Sequence, residues 1–138
     1  MTLVGVTGTN GKTTTTYLIK QLLEKTLCVK VGLIGTNQNL IGDKVVPTDR
    51  TTPDALTVQR LLAQMANAGC EYAVMEVSSH ALMQSRVAGI HFRVGVFTNL
   101  TQEHLDYHGT MEAYCDAKAR LFDQCGIACV NGDDPWTR

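Results

Sequence analysis

A glycine-rich loop near the N-terminus, between an apolar run and a helical pattern, constrains this chain more than any other feature. Residues 3–6 are apolar and rich in valine, which predicts a buried strand. The loop that follows opens a helix and reads Gly8-Thr9-Asn10-Gly11-Lys12-Thr13-Thr14. Glycines let backbone N–H groups approach an oxyanion, the helix N-terminus supplies further donors, Lys12 adds a positive charge, and the Thr13 hydroxyl can bind Mg²⁺. The loop therefore predicts a phosphate-binding site.

This loop is shorter than the general P-loop pattern. That pattern has its first glycine five positions before the second, and Val6 occupies that position here. The match is therefore to a GxxGKT form. The alternative interpretation is a glycine turn that only caps a helix. Four consecutive threonines are poor helix starters, so their presence favours phosphate binding.

The rest of the chain alternates between strand and helix patterns. We predict strands at 28–34, 71–77, 93–98 and 127–130, and further helices at about 52–68 and 111–124. The apolar stripes of the first two helices should be Ile19, Leu22, Leu23 and Thr26, and Val58, Leu61, Leu62 and Met65. A small hairpin at 40–46 should lie outside the sheet. This order predicts one α/β domain, P-loop NTPase-like but truncated, whose mostly parallel sheet has helices on both faces.

Composition excludes several classes of protein. The 138 residues are 44% hydrophobic and 18% charged, which argues against a disordered chain. The formal net charge of −1 leaves no basic stripe for a nucleic acid. No apolar run approaches the length of a membrane span, so we expect a soluble, cytoplasmic protein. The five cysteines are scattered without a CxxC motif, so we expect reduced thiols, mostly in the core.

Three further residues are candidates for chemistry. Glu76 ends an apolar strand, where the acid could hold the metal of a nucleotide or simply cap the next helix. His104 lies in a polar segment after the next strand and could be a ligand, a base or a surface residue. Lys118 interrupts the apolar stripe of the helix that begins at about Met111, either as a functional group or with its stem over the edge of the core. Periodicity alone does not decide between these alternatives.

With these residues in view, the chain resembles the central, ATP-binding domain of the Mur ligases, and most closely the members that add the third peptide residue. The shortened loop is the form that this family uses. The matching segments are Gly8 to Thr14, Thr51-Thr52-Pro53, Glu76-Val77-Ser78-Ser79-His80, Thr98-Asn99-Leu100, His104-Leu105-Asp106-Tyr107-His108-Gly109, Lys118 and Asn131-Gly132-Asp133-Asp134.

The resemblance implies a role for each matching position. Residues 8–14 would hold the ATP phosphates, with Lys12 as a catalytic residue and Thr13 on one of two Mg²⁺ ions. Glu76 and His104 would face the metals, and Lys118 matches a lysine that the family carries as a carbamate. A carbamate is an anion, which could help to hold a second cation. The positions implied to contact the UDP-muramoyl substrate are Thr51, Thr52, Ser78, Gln84 and Arg86, which without the resemblance would pass for loop or cap residues.

The implied reaction is ATP-dependent amide formation through an acyl phosphate, in peptidoglycan precursor synthesis. The substrates would be UDP-N-acetylmuramoyl-L-alanyl-D-glutamate and a diamino acid, either diaminopimelate or lysine. Family members also have an N-terminal uridine-binding domain and a C-terminal amino-acid-binding domain, so residues 1–138 would be part of the central domain, and inactive alone. We expect a monomer without nucleic-acid or membrane partners. The alternatives are a folylpolyglutamate-synthase-like ligase and a nucleotide-binding module without catalysis.

Overall fold

The computed structural model describes residues 1–8, 10–35, 38–46, 54–78, 87, 89–99 and 120–130. Seven strands, two α-helices and one short 3-10 helix lie within these ranges. In chain order they are β1 (Thr2–Thr7), α1 (Lys12–Leu27), β2 (Lys30–Ile34), β3 (Asn39–Ile41), β4 (Lys44–Val46), α2 (Ala55–Asn67), β5 (Cys70–Glu76), β6 (Phe92–Phe97), the 3-10 helix (Arg120–Gln124) and β7 (Cys125–Val130).

The strands form one sheet in the order β4-β3-β2-β5-β1-β6-β7. The five strands from β2 to β7 in this order run parallel, and the hairpin of β3 and β4 pairs antiparallel with β2. Central β1 pairs Val6 with Glu76 of β5 and Thr7 with Phe97 of β6, so these three strands end at the same edge. The predicted α/β fold with a mostly parallel sheet is confirmed.

The hairpin extends the sheet, and the prediction that it lies outside the sheet is wrong. Gly32 of β2 pairs with Ile41, and Ile41 pairs with Lys44 across the turn. β2 has β5 on one side only, so its other edge offers backbone groups that the hairpin can pair with. The predicted turn at residues 42 and 43 is confirmed, and Gly42 adopts φ 62° there.

The two helices pack on opposite faces of the sheet. The core stripe predicted for α2 is confirmed, since all four of its residues are buried and join Ala73 and Met75 of β5 in one cluster. Val74, between them in the chain, belongs to the cluster under α1. Successive strand side chains point to opposite faces, so this division places one helix on each side of the sheet.

Helix α1 departs from its predicted stripe. Ile19 and Leu23 pack against the sheet, but Leu22 is 63% exposed and Thr26 is exposed. The buried positions of α1 are polar: Thr16 and Lys20. Each buried polar group has a local partner. The Thr16 hydroxyl donates to a backbone carbonyl at 2.8 Å, and the Lys20 ammonium donates to a carboxylate one turn along the helix at 2.8 Å.

The N-cap of α2 is Asp54. Its side chain accepts a hydrogen bond from the Thr57 N–H at 2.9 Å, and the helix begins at Ala55. The predicted start, at about residue 52, is three residues too early. An Asp carboxylate satisfies a free N–H group of the first turn, which fixes the start of the helix at Ala55.

On the face of the sheet that carries α1, an apolar surface remains open beside the helix. A cavity of about 310 Å³ lies between α1 and β6, lined by side chains that include Ile19, Leu23, Val94 and Val96. Beyond it, Ile127 of β7, which pairs with Val94, is 55% exposed. In the described part of the chain, α1 is the only α-helix on this face, and it packs mainly against β2, β5 and β1.

The cysteines are less buried than predicted. Of the four described, Cys70 is buried, Cys125 is half-buried, and Cys28 and Cys129 are exposed. Cys129 is exposed because it lies on β7, the outermost strand of the described sheet, and Cys28 because it ends α1. Cys115 and most of the predicted helix at 111–124 lie outside the described residues. No helix in the described ranges is long and apolar enough to cross a membrane.

Candidate phosphate-binding site

The predicted phosphate loop connects the end of β1 to the start of α1 at the carboxyl edge of the sheet. Gly8 adopts φ 141° and Gly11 φ 86°, and Gly11 is the N-cap of α1. These dihedral angles explain the two glycines, because side chains rarely adopt them. Gly11 has no side chain with which to cap this helix end, where the first-turn N–H groups adjoin the loop. The Lys12 ammonium folds back over the loop and donates to the Gly8 carbonyl at 2.8 Å.

Gly8 also lies too close to β6 for any larger residue. A Cβ atom on Gly8 would overlap the Thr98 hydroxyl and would lie 3.1 Å from the Asn99 backbone nitrogen. The Thr98 N–H donates to the Thr7 carbonyl at 3.0 Å, which holds the two strand ends together. The loop is therefore packed directly against the residues that follow β6.

Two side chains after β6 hold the backbone of Asn10. The Asn99 amide accepts from the Asn10 N–H at 3.0 Å and donates to the Asn10 carbonyl at 3.1 Å. The Thr98 hydroxyl donates to the same carbonyl at 2.7 Å. Thr98 and Asn99 were not among the predicted site residues. The available signal was their position directly after a strand at the edge where the loop lies.

The structure brings Thr13 and Glu76 together. The Thr13 hydroxyl donates to Oε1 of Glu76 at 3.0 Å, across 63 positions of sequence. Glu76 is fully buried at the end of β5. Burying a carboxylate is costly unless it is hydrogen-bonded or bound to a cation, so this position favours a site that binds positive charge.

The two oxygens fit a magnesium ion. Neighbouring ligands of an octahedral Mg²⁺, each about 2.1 Å from the ion, lie about 3.0 Å apart. The separation between Thr13 Oγ1 and Glu76 Oε1 is 3.0 Å. Hydroxyl and carboxylate oxygens are also the hard donors that this ion prefers. These two residues could therefore hold a Mg²⁺ ion beside a bound phosphate.

Of the other predicted site residues, one lies within the described ranges at this edge and the rest lie outside those ranges. Ser78 is half-buried and follows Glu76 by two positions, at the same edge of the sheet. The predicted residues outside the described ranges are Thr9, Thr51, Thr52, Gln84, Arg86, His104 and Lys118. Within the described ranges, no three His, Cys, Asp or Glu residues form a metal-binding group. The convergence of His104 and Lys118 with Glu76 thus stays a prediction.

Comparisons with known proteins agree with this arrangement. The Mur ligase middle domain family matches residues 6–138. The UDP-N-acetylmuramoyl-L-alanyl-D-glutamate--2,6-diaminopimelate ligase of Gloeobacter violaceus is 56% identical over 139 residues, which cover 99% of this chain and 28% of that protein. The chain thus spans little more than a quarter of this relative's length.

Two solved structures extend the comparison. A UDP-N-acetylmuramoyl-L-alanyl-D-glutamate--2,6-diaminopimelate ligase matches with a TM-score of 0.84 and 41% identity, over 98% of this chain and 27% of that one. The MurF ligase from Thermotoga maritima, solved with ADP, matches with a TM-score of 0.65 and 24% identity, over 97% and 29% of the two chains. At that identity the second match shows a shared fold. The family model covers residues 6–138, which is nearly the whole chain, including the phosphate loop and the sheet that carries it. The chain therefore belongs to the Mur ligase middle domain family.

Proposed function

We propose that this chain is the ATP-binding part of a ligase that joins diaminopimelate to UDP-N-acetylmuramoyl-L-alanyl-D-glutamate. The observation that carries the proposal is the contact between the Thr13 hydroxyl and the buried Glu76 carboxylate at the mouth of the phosphate loop. A loop that only capped a helix would not need a buried acid against its first turn. The substrates in this proposal are those in the names of the relatives.

The loop would bind the nucleotide through its backbone and one charge. The first-turn N–H groups of α1 adjoin the loop, where Gly11 offers no side-chain cap, and the helix dipole favours an anion at this end. The Lys12 ammonium, which now donates to the Gly8 carbonyl, lies within the loop and could donate to a phosphate oxygen instead. Asn99 and Thr98 would keep the Asn10 peptide in place while the phosphate is bound.

Thr13 and Glu76 are the described residues that would hold Mg²⁺. The ion would supply positive charge that lowers the repulsion between a polyphosphate and an approaching carboxylate. The family resemblance implies a second Mg²⁺ ion as well. His104 and a carbamylated Lys118 would complete the two metal sites.

The chemical step would run in two stages. The D-glutamate carboxylate of the substrate attacks the γ-phosphorus of ATP, the bond from this phosphorus to the bridging oxygen breaks, and ADP leaves. The substrate then carries an acyl phosphate. The amine of diaminopimelate then attacks the acyl carbon, phosphate leaves, and the amine loses a proton. The protein's contribution to the first stage is positioning and charge stabilisation.

The remaining roles follow the family resemblance. Thr51, Thr52, Ser78, Gln84 and Arg86 would contact the UDP-muramoyl substrate. The rest of a full-length ligase would bind the uridine and present the amino acid, since the chain spans about 28% of its relative. We propose that the protein is a cytoplasmic monomer. The folylpolyglutamate-synthase-like alternative is less favoured, because a relative with 56% identity carries the muramoyl ligase name.

The test is a charge deletion in the loop. Lys12→Ala should weaken ATP binding by about tenfold to a hundredfold, because a hydrogen bond from a charged donor contributes about 1.5 to 3 kcal/mol. Isothermal calorimetry measures the affinity, and circular dichroism checks the fold. Lys25→Ala is the matched control, since Lys25 is an exposed lysine at the other end of the same helix. Equal ATP affinity in Lys12→Ala, Lys25→Ala and wild type would contradict the proposed function.

A further inference from the structure

A glycine outside the phosphate loop lies directly against the buried acid. Gly35 follows β2 and is buried, and a Cβ atom built on it would collide with Oε2 of Glu76 and lie 3.4 Å from its Cδ. Gly35 is not among the glycines with positive φ, so its backbone conformation is open to other residues. What excludes a side chain at this position is the space that the carboxylate fills.

The backbone of Gly35 is itself held by a buried amide. The Gly35 N–H donates to Oδ1 of Asn39 at 3.3 Å, and Asn39 is 2% exposed at the start of β3. Asn39 pairs with Ile34 in the sheet, so its side chain starts from a fixed backbone. A buried polar side chain is costly unless its hydrogen bonds are made, and this bond lies between the two ends of the turn from β2 to β3.

These contacts place the Glu76 carboxylate between two surfaces. Oε1 accepts the Thr13 hydroxyl at 3.0 Å, and Oε2 lies against Gly35. The last torsion of a glutamate side chain is broad and has no strong intrinsic preference. Packing on both oxygens therefore decides how the carboxylate plane is oriented toward the phosphate loop.

We propose that Gly35 and Asn39 are positioning residues for the metal site, which fix the orientation of the Glu76 carboxylate so that one of its oxygens is directed at Thr13. This inference rests on the proposed function, because it concerns how the same site holds Mg²⁺. Residues of this kind touch neither nucleotide nor metal. They act through the orientation of a ligand, and changes to such outer residues typically cost about tenfold to a hundredfold in metal affinity.

The experiment compares ATP binding with and without Mg²⁺. Calorimetric titrations of the protein are run in MgCl₂ and in EDTA for wild type, Gly35→Ala and Asn39→Ala. In Gly35→Ala we expect the Mg-ATP affinity to fall by about tenfold or more, while the affinity for metal-free ATP changes by less than about twofold. Asn39→Ala should act in the same direction and less strongly, because it loosens the turn without filling the space.

Two controls separate positioning from general damage. Gly126→Ala adds the same methyl group where its nearest neighbour would be the Arg93 carbonyl oxygen at 3.4 Å, an ordinary contact, and should leave both affinities unchanged. In a Glu76→Ala background the carboxylate is absent, so adding Gly35→Ala should cause no further loss. Circular dichroism melts check that each variant is folded.

The outcomes are distinguishable. Equal losses with and without Mg²⁺ in Gly35→Ala, or an unchanged Mg²⁺ dependence, would overturn the positioning role and leave the proposed function standing. A further loss in the Glu76→Ala background would also overturn it, because Gly35 would then act through another group. Wild-type protein that binds no ATP in either buffer would overturn the proposed function and this inference with it.

Discussion

Single side chains decide whether the phosphate loop keeps its shape. A loop built from glycines has little conformational preference of its own, so its form must be imposed from outside. Asn99 does this with a pair of hydrogen bonds to the backbone N–H and C=O of one residue, Asn10. The side-chain amide thus acts as a backbone partner would in a sheet. In the proposed function, this side chain would contribute to binding by holding the loop in one form.

Asn99→Ala should therefore weaken ATP binding without removing any group that touches the phosphates. We expect the dissociation constant to rise about threefold to tenfold, the effect of losing hydrogen bonds with a net contribution of about 1 kcal/mol. Calorimetry measures this change. Thr98→Ser is the control, because serine keeps the hydroxyl that donates to the Asn10 carbonyl, and it should bind ATP like wild type. Wild-type affinity in Asn99→Ala would mean that the loop holds its shape unaided.

The cysteine thiols should differ in reactivity because they differ in burial. Burial raises the pKa of the Cys70 thiol above its ordinary value, whereas Cys28 and Cys129 are exposed. We predict that iodoacetamide at pH 8 modifies Cys28 and Cys129 first and Cys70 only after denaturant is added, as peptide mass spectrometry would detect. Rapid labelling of Cys70 in the native protein would contradict its burial.

The same raised pKa makes stability sensitive to alkaline pH. A thiol whose pKa is higher in the folded state than in the unfolded state contributes stability that is fully present below the unfolded value. That contribution is lost as the pH rises through the folded value. Cys70 therefore favours unfolding only at pH values above the ordinary thiol pKa of 9.0.

At the scale of elements, the two helices show what a sequence pattern can and cannot predict. Helix α2 buries Val58, Leu61, Leu62 and Met65, because apolar residues at helical spacing have no better place than the core. Helix α1 buries Thr16 and Lys20 and exposes Leu22. Hydropathy alone predicts the opposite, with Leu22 buried and Thr16 and Lys20 exposed. The hydrogen-bond partners that allow Thr16 and Lys20 to be buried are known only from the structure.

The ion pair on α1 gives an asymmetric prediction. The Lys20 side chain is 7% exposed and that of Glu24 is 28% exposed, with the charged atoms 2.8 Å apart. Glu24→Gln leaves a nearly buried ammonium without its counter-charge, and should lower the free energy of unfolding by about 1 kcal/mol after allowance for solvent screening. Lys20→Met removes the buried charge and should be neutral or stabilising.

Urea unfolding followed by circular dichroism measures both variants. The comparison is informative because the two substitutions break the same pair from opposite ends. Greater destabilisation by Lys20→Met than by Glu24→Gln would contradict this prediction. It would show that the ion pair stabilises α1 by more than the free-energy cost of burying the ammonium.

The candidate site was predictable to a similar, limited extent. The chemistry of the loop and of a strand-end acid predicted that Thr13 and Glu76 belong to one site, and the structure brings them together. Gly35 was not predicted because its φ is ordinary and no motif surrounds it, so only the distance to Glu76 distinguishes it from other glycines. A role that arises from contact between distant strands leaves no local signal in the sequence.

For the whole molecule, the parallel direction of most strands follows from general rules of chain topology. Alternating strands and helices predicted a parallel sheet, and the carboxyl edge predicted the site. The placement of the β3 and β4 hairpin did not follow from these rules, because a three-residue strand carries too short a pattern to show its partner.

We predict that these 138 residues alone make no tripeptide product. Amide formation requires the acyl phosphate and the amine to be held within about 3 to 3.5 Å of each other, and the relatives are more than three times as long as this chain. The assay combines the protein with ATP, UDP-N-acetylmuramoyl-L-alanyl-D-glutamate and diaminopimelate, with product followed by mass spectrometry. A full-length relative is the positive control, and turnover by residues 1–138 would show that one domain suffices.

The open apolar surface beside α1 bears on how stability should be measured. Environment-sensitive dyes such as anilinonaphthalene sulfonate fluoresce when they enter apolar clefts, and a native protein normally offers them few. Here the cavity between α1 and β6, with the exposed Ile127 beyond it, offers such a cleft in the folded state. Dye fluorescence should therefore be high before any heating, and a dye-based melting curve would mistake the native fold for a partly unfolded one.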